Sequence, residues 1–217
     1  GVLEGAGSGS TIIDMSSISP LVAQKVANEC AEKGVDMLDA PVSGGEPGAI
    51  SGTLAIMVGG KKAVFDKYEP LMKVLGKSVV LTGAIGAGNV TKLANQIMVA
   101  VNIAGMGEAL VLATKAGVDP ELVFNAVRGG LAGSAVLEAK APMVLDRNFT
   151  PGFRVRLHHK DLHNTLLTGK ELNVPLPLTS LVQQILSALM AEDKGDSDHS
   201  AIVTFIEDLA KVEVNKK

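Results

Sequence analysis

The hydrophobic pattern changes near Gly83, and this change constrains the fold more than any other feature of the sequence. Before it, short apolar or β-branched runs at 11–14, 35–39, 54–58 and 78–81 alternate with segments of helical periodicity. Such alternation favours a mostly parallel α/β sheet. After it, apolar residues recur at helical spacing and no run is typical of a strand. The sequence therefore predicts an α/β region followed by an all-α region.

A long helix, from about residue 88 to residue 116, is predicted to join the two regions. It is apolar on nearly every side, so we expect both of its faces to be buried. We place the domain boundary just before it, with one domain at 1–85 and an all-α C-terminal domain at 86–217 that includes the helix.

Composition excludes several classes of function. The 217 residues carry a net charge of −3, with no basic block, no Trp and an aromatic content of 3%. These values argue against binding of nucleic acid. We expect no apolar run long enough to span a membrane. The lone cysteine, Cys30, cannot form an internal disulfide, which favours a reducing compartment and predicts a cytoplasmic protein.

Two polar loops directly follow predicted strands, where ligands bind in open α/β sheets. The first is DMSS at 14–17, in which Ser16 either contacts a ligand or caps the next helix. The second is DAPVSGG at 39–45. Gly44 and Gly45 would let backbone N–H groups face an anion, and Ser43 adds a hydroxyl, so a small carboxylate suits this loop. The alternative is an ordinary glycine turn.

A third segment, GAIGAGNVTKLAN at 83–95, leads from a strand through glycines into the long helix. Its spacing does not fit a dinucleotide fingerprint. Lys92 lies in the first turns of this apolar helix, with Asn95 on the same face. Burial and the helix dipole disfavour the ammonium there, which suits a lysine that exchanges a proton near neutral pH. The alternative is a solvated lysine at a helix start.

The fourth segment is HHKDLH at 158–163. His159 and His163 have a spacing that can bind zinc on one helix face, but no third ligand is nearby, and we predict no metal site. Lys160 either faces a ligand or belongs to a polar helix face.

Together these segments resemble the β-hydroxyacid dehydrogenases. The resemblance is carried by DMSS at 14–17, DAPVSGGEPGAISGTLAIMVGG at 39–60, GAGNVTKLANQ at 86–96, RGGLAGS at 128–134 and KDL at 160–162. It implies a Rossmann-like parallel sheet in 1–85, present only in part, then a long interdomain helix and a C-terminal helical domain. The implied reaction is reduction of a 3-oxo acid to a 3-hydroxy acid by NADH or NADPH, here tartronate semialdehyde to glycerate.

The resemblance also implies roles for individual residues. Lys92 matches the family's catalytic lysine and Asn95 the substrate-binding asparagine beside it. The substrate carboxylate and hydroxyl would bind the loop formed by Ser43, Gly44 and Gly45. Ser16 matches a position near the nicotinamide, and Lys160 a lysine on the cofactor side.

The family's first strand, its glycine-rich phosphate loop and its cofactor-sorting second strand have no counterpart in the sequence. We therefore expect a dinucleotide-binding domain that is incomplete within this chain. Three alternatives stay open: a reductase of tartronate semialdehyde, a dehydrogenase for a related acid such as 3-hydroxyisobutyrate, or a non-catalytic helical oligomerisation module. A homodimer or homotetramer formed through the C-terminal helical domain is expected in each case.

Overall fold

The computed structural model describes residues 1–216, which form two compact units, one covering Gly1–Asn95 and one beginning at Gln96. The first unit alternates helices and strands. Its elements are α1 (Val2–Gly5), β1 (Thr11–Asp14), α2 (Pro20–Glu32), β2 (Asp36–Asp39), β3 (Val42–Ser43), α3 (Gly45–Ser51), β4 (Leu54–Gly59), α4 (Lys62–Leu75), β5 (Gly76–Gly83) and the first turns of α5 (Ala87–Lys115). The predicted strands and helices of this region are therefore present.

The sheet of the first unit is mixed. Strand β1 runs parallel to β2, and β4 runs parallel to β5. However, β4 is antiparallel to both β2 and β3. The expectation of a mostly parallel sheet is confirmed, since the longest pairings, β1 with β2 and β4 with β5, are parallel. The short strand β3 is antiparallel to β4 because the connection from Ser43 to Leu54 is shorter than the dozen or so residues that a parallel crossover needs.

The Gly/Pro-rich segment between β2 and β4 is also more regular than its composition suggests. It contains the short strand β3 and a seven-residue helix, α3. Gly44 and Gly52 flank this helix, and both have positive φ angles, of 134° and 65°. Glycine tolerates such angles without strain. The two glycines therefore let the chain turn sharply into and out of α3, although glycine inside a helix weakens it.

The core of the first unit lies on both faces of the sheet. One buried cluster contains Leu38, Ile56, Val58, Phe65 and Met72, and α4 contributes to it. A smaller cluster forms around Cys30, Val35 and Met37 under α2.

The second unit contains the rest of α5, five further α-helices and two short 3₁₀ helices, Lys194–Asp196 and His199–Ala201, with no strand element among its described residues. The helices are α6 (Pro120–Val127), α7 (Ala135–Leu145), α8 (Val155–Glu171), α9 (Pro177–Ala191) and α10 (Ile202–Ala210). Two of their starts are capped by side chains: Asp119 accepts from the Glu121 N–H, and Ser134 accepts from the Leu137 N–H. A large apolar core including Ile103, Leu162 and Leu186 holds the unit together.

Helix α5 departs from expectation in two respects. Its sides are not all buried, since Val90, Met98 and Leu112 are exposed. It is also long and apolar enough to cross a membrane by length and composition, with a mean hydropathy of 1.8 over 18 residues, so the expectation that no run reaches that length was wrong. The core helix of a soluble protein meets the same criterion.

The boundary between the two units falls inside α5, between Asn95 and Gln96, whereas the domain boundary predicted from sequence lies just before the helix.

Candidate active site

The first unit has a hydrogen-bonded junction where β1, β2 and the start of α5 meet. Asp14 and Asp39 end the two strands and lie side by side in the parallel register. Asp39 is completely buried. Its Oδ1 accepts from the Gly86 N–H at 2.7 Å, and its Oδ2 accepts from the Asn89 N–H at 2.7 Å and from the Asn89 Nδ2 at 3.2 Å. The carboxylate therefore caps the N-terminus of α5.

Asn89 extends this junction to the loop after β1. Its Oδ1 accepts a hydrogen bond from the Ile18 N–H at 3.0 Å, and its side chain is 1% exposed. Within that loop, the Ser16 N–H donates to Asp14 Oδ1 at 3.0 Å. One asparagine thus links the end of β2, through Asp39, to the loop that contains Ser16.

Two glycines, Gly59 at the end of β4 and Gly88 in α5, allow the start of α5 to lie close to the sheet. A Cβ at Gly88 would lie 2.5 Å from the carbonyl oxygens of both Asp39 and Met57. A Cβ at Gly59 would lie 2.3 Å from Asp39 Oδ1. Only glycine allows the helix to reach the sheet this closely. The backbone N–H groups of Gly86 and Asn89, which could face a phosphate, instead bind Asp39. This agrees with our interpretation that the motif is not a dinucleotide fingerprint.

Lys92 follows Asn89 by three residues, nearly one helical turn. It is buried, with 6% of its surface exposed, and Asn95 is half-buried. Both residues belong to the same unit as Ser16. The burial of Lys92 excludes the alternative of a freely solvated lysine at a helix start.

The loop at 43–45 is placed by another strand of the same sheet. Ser43 pairs with Ala55 on β4, four residues before the Gly59 that pairs with Asp39, which is about 13 Å along the strand. Gly44 and Gly45 are exposed, with φ angles of 134° and 61° that favour glycine. No hydrogen bond recorded for the described residues joins this loop to the Asp39 junction.

Lys160 lies in the second unit, on α8. Its ammonium pairs with Asp161 Oδ1 at 3.0 Å, and its side chain is about half exposed. Asp161 is buried, and its other oxygen accepts from Gln96 Nε2 at 2.7 Å. A buried carboxylate therefore pairs with the ammonium of a half-exposed lysine.

The two histidines with zinc-like spacing also lie on α8. His159 Nε2 is 3.1 Å from the Ser187 hydroxyl. Burial, with a smaller effect from His163, lowers the pKa of His159, which favours its neutral form. Within residues 1–216 no three His, Cys, Asp or Glu side chains gather as a metal site would need.

Two concavities of the first unit lie away from the predicted residues. One, of about 280 Å³, is lined by residues including Asn28, Asp36 and Lys61. A larger one is lined by the N-terminal residues, β1 and α2. Ser16, Ser43 and Lys92 line neither of them.

Sequence reasoning did not single out Asp39 and Asn89 as functional residues. Their bonds join residues that are 50 and 71 positions apart, and such long-range contacts leave no local pattern. One signal was present: Asp39 is a charged residue at the end of an apolar strand and directly before Ala40 and Pro41. A carboxylate in that position needs buried donors.

Comparison with known proteins matches the chain in two parts. Residues 86–206 match the family described as the NAD-binding domain of NADP-dependent 3-hydroxyisobutyrate dehydrogenase, and residues 1–84 match the NAD-binding domain of 6-phosphogluconate dehydrogenase. The 2-hydroxy-3-oxopropionate reductase of Escherichia coli (strain K12) is 48% identical over 202 residues, covering 93% of this chain and 69% of that protein. The 2-(hydroxymethyl)glutarate dehydrogenase of Eubacterium barkeri is 42% identical, covering 99% of this chain and 72% of that protein.

Among solved structures, the Mycobacterium tuberculosis 3-hydroxyisobutyrate dehydrogenase with L-serine has a TM-score of 0.87 at 31% identity, covering 94% of this chain and 72% of that one. This similarity confirms the predicted fold class, a partial Rossmann-like α/β region followed by a helical region. The chain belongs to the β-hydroxyacid dehydrogenase family, whose members act on 3-hydroxy acids with NAD(P)H as cofactor.

Proposed function

We propose that this protein reduces tartronate semialdehyde to glycerate, with Lys92 as the proton donor. The choice of substrate rests on the 48% identity to a 2-hydroxy-3-oxopropionate reductase over nearly the whole chain. Support for Lys92 comes from its burial, one turn beyond the junction formed by Asp39 and Asn89. A buried lysine near a helix N-terminus is suited to give up a proton during a reaction.

The residues present fit the two ends of NAD(P)H unequally. Ser16 is exposed just past the end of β1, where parallel strands place ligands, and the family resemblance assigns it to the nicotinamide end. The N-terminus of α5 does not suit the pyrophosphate, because Asp39 already binds its N–H groups and would repel a second anion. We assign Ser16 and Lys160 to cofactor binding, Lys160 from the family resemblance.

In the proposed reaction, bound NAD(P)H would supply the hydride that the carbonyl carbon of the substrate accepts. The Lys92 ammonium donates a proton to the oxygen of that carbonyl as negative charge develops there. Asn95, on the same helix face, holds the substrate beside Lys92. Ser43, Gly44 and Gly45 bind its carboxylate and hydroxyl through one side-chain hydroxyl and exposed backbone N–H groups.

The test is oxidation of NADH and NADPH at 340 nm with tartronate semialdehyde, for the original chain and for Lys92→Gln. General acid catalysis contributes about 100- to 10,000-fold, so kcat should fall by that factor. The control is Lys77→Gln, which changes an exposed lysine on β5 and should leave kcat unchanged. Activity that persists in Lys92→Gln would overturn the role of Lys92.

A related substrate is the second candidate, because the chain is also 33% identical to the 3-hydroxyisobutyrate dehydrogenase of Pseudomonas aeruginosa. The two are separated by kcat/KM for tartronate semialdehyde against the semialdehyde formed from 3-hydroxyisobutyrate. We expect a preference for tartronate semialdehyde, and the reverse preference would replace the proposed substrate.

We also propose that the chain self-associates as a dimer or tetramer through its second unit. Support comes from large apolar side chains that are exposed there, including Leu112, Leu122 and Leu181. Exposed apolar surface of this kind commonly marks an interface. Light scattering should give two or four times the 22.4 kDa chain mass, and a stable monomer would contradict the proposal. The same monomer result would also argue against an oligomerisation module.

A further inference from the structure

The strongest unassigned feature of the first unit is the clamp formed by Asp39 and Asn89. Asp39 uses both carboxylate oxygens to hold the first turn of α5. Because Asp39 is fully buried, this bond set is shielded from water and is stiffer than an exposed cap. The turn that precedes Lys92 is therefore anchored to the end of β2.

Asn89 carries the second half of the clamp. Its amide is used at both ends, donating through Nδ2 to Asp39 and accepting through Oδ1 from the Ile18 N–H. Few other side chains can donate and accept in opposite directions at this length. Ile18 lies two residues after Ser16, and the Ser16 N–H is held in turn by Asp14. The loop is thus tied at two points.

We propose that Asp39 and Asn89 are positioning residues, which hold the Ser16 loop at a set distance from the helix turn that carries Lys92. This inference rests on the proposed function, since it requires Lys92 and Ser16 to act on the two reacting partners. In a hydride transfer the donor, the acceptor and the proton source must be aligned together. A clamp between the two segments sets that alignment before the ligands bind.

The primary test is Asn89→Ala, which removes the bridge and keeps a good helix former in the first turn of α5. The matched control is Asn102→Ala, on the same helix, where an exposed asparagine bonds only the Met98 carbonyl of its own helix among the recorded contacts. Asp39→Asn is the second variant. Its control is Asp36→Asn at the other end of β2, where the carboxylate is paired with Lys61 at the surface.

Two readouts are needed. Amide hydrogen exchange at Ile18 should be slow in the original chain and at least about tenfold faster in Asn89→Ala, with α5 still protected. In single turnovers, the rate constant for NAD(P)H oxidation should fall by about 10- to 100-fold in Asn89→Ala and in Asp39→Asn, because small misplacements cost that much. Loss of folded protein alone would lower the amplitude and leave this rate constant unchanged.

Each outcome decides the inference. Rapid exchange of the Ile18 amide in the original chain overturns it without any variant, so failure of a variant to fold does not prevent the test. An unchanged single-turnover rate constant in folded Asn89→Ala also overturns it. If Lys92→Gln keeps its activity, the proposed role of Lys92 as proton donor fails instead, and the exchange at Ile18 still decides whether the clamp exists.

Discussion

Two buried aspartates organise the two units, and they do so with different partners. Asp39, in the first unit, accepts hydrogen bonds from neutral N–H donors of Gly86 and Asn89. Asp198, in the second unit, accepts from the backbone N–H groups of Gly152, Phe153 and Ser200. It also binds the Lys140 ammonium with both oxygens, at 2.9 and 3.0 Å.

The different partners indicate different roles, with Asp39 at the candidate site and Asp198 in the packing of the second unit. The donors on Asp39 come from the start of the helix that carries Lys92, so its loss should act mainly on the geometry of the reaction. The partners of Asp198 come from α7, from the segment before α8 and from the turn before α10, so its loss should act on the packing of the whole second unit. Loss of Asp39 should therefore lower the catalytic rate more than the free energy of unfolding. Loss of Asp198 should lower the free energy of unfolding more than the catalytic rate.

The largest effect on stability is expected for Asp198→Ala. It leaves Lys140, whose side chain is 14% exposed, without its counter-charge, and it leaves three backbone N–H groups without an acceptor. Breaking a buried ion pair in this way costs about 3–5 kcal/mol. Urea unfolding followed by circular dichroism measures the loss.

Its control is Asp196→Ala. This aspartate pairs with Arg154 and Arg156 at the surface, and such pairs contribute at most about 1 kcal/mol. If the two variants lose equal free energy of unfolding, the scaffold role of Asp198 is wrong.

The next largest effect on stability is expected for substitutions of two glycines in α5, Gly88 and Gly105. Gly88→Ala would press a Cβ against the Asp39 and Met57 carbonyl oxygens, and overpacking of this kind costs about 1–3 kcal/mol. Gly105→Ala meets no atom within 4 Å, so it should stabilise α5 by about 0.5–1 kcal/mol. Thermal unfolding compares them. Equal changes in Tm would mean that α5 does not approach the sheet as closely as described.

The smallest effect is a pH dependence. Burial alone would raise the pKa of Asp198, but the charge of His199, the Ser200 N–H and Lys140 outweigh it and hold the pKa below its ordinary value. The folded protein then binds fewer protons than the unfolded chain near that value, which is about 3.9. The contribution of Asp198 to stability is thus complete above about pH 5 and is lost as pH falls through the folded pKa.

Unfolding free energies measured from pH 6 down to pH 3 should therefore fall less steeply for Asp198→Asn than for the original chain. Asp196→Asn serves as the reference. A slope that Asp198→Asn leaves unchanged would contradict the shift in pKa.

Local patterns predicted most of the helices and strands. The run at 11–14 became β1, and Pro20, Asp119 and Ser134 mark helix starts where sequence rules place them. These features depend on neighbours in the chain. Helix α3 was missed, because Gly44, Pro47 and Gly52 indicate a loop when propensity alone is considered.

The candidate site was only partly predictable. Lys92 and Asn95 were identified from their helical spacing and their resemblance to the family, and the structure places Lys92 in a buried position. The contacts that anchor their helix were not identified. The Asp39 and Asn89 bonds depend on which strand end meets which helix, and that is a property of the folded chain. The exposed side of α5 was missed for a similar reason, since an apolar sequence does not specify what covers it.

The proposed function requires this chain to bind NAD(P)H together with a small hydroxy acid. The most direct test is calorimetric titration of NADH and NADPH into the full chain, with tartronate present as a mimic of the substrate. We expect at least one cofactor to bind with a Kd on the order of micromolar, about −8 kcal/mol, and to bind more weakly when tartronate is left out. Absence of binding for both cofactors, with tartronate present, would contradict it.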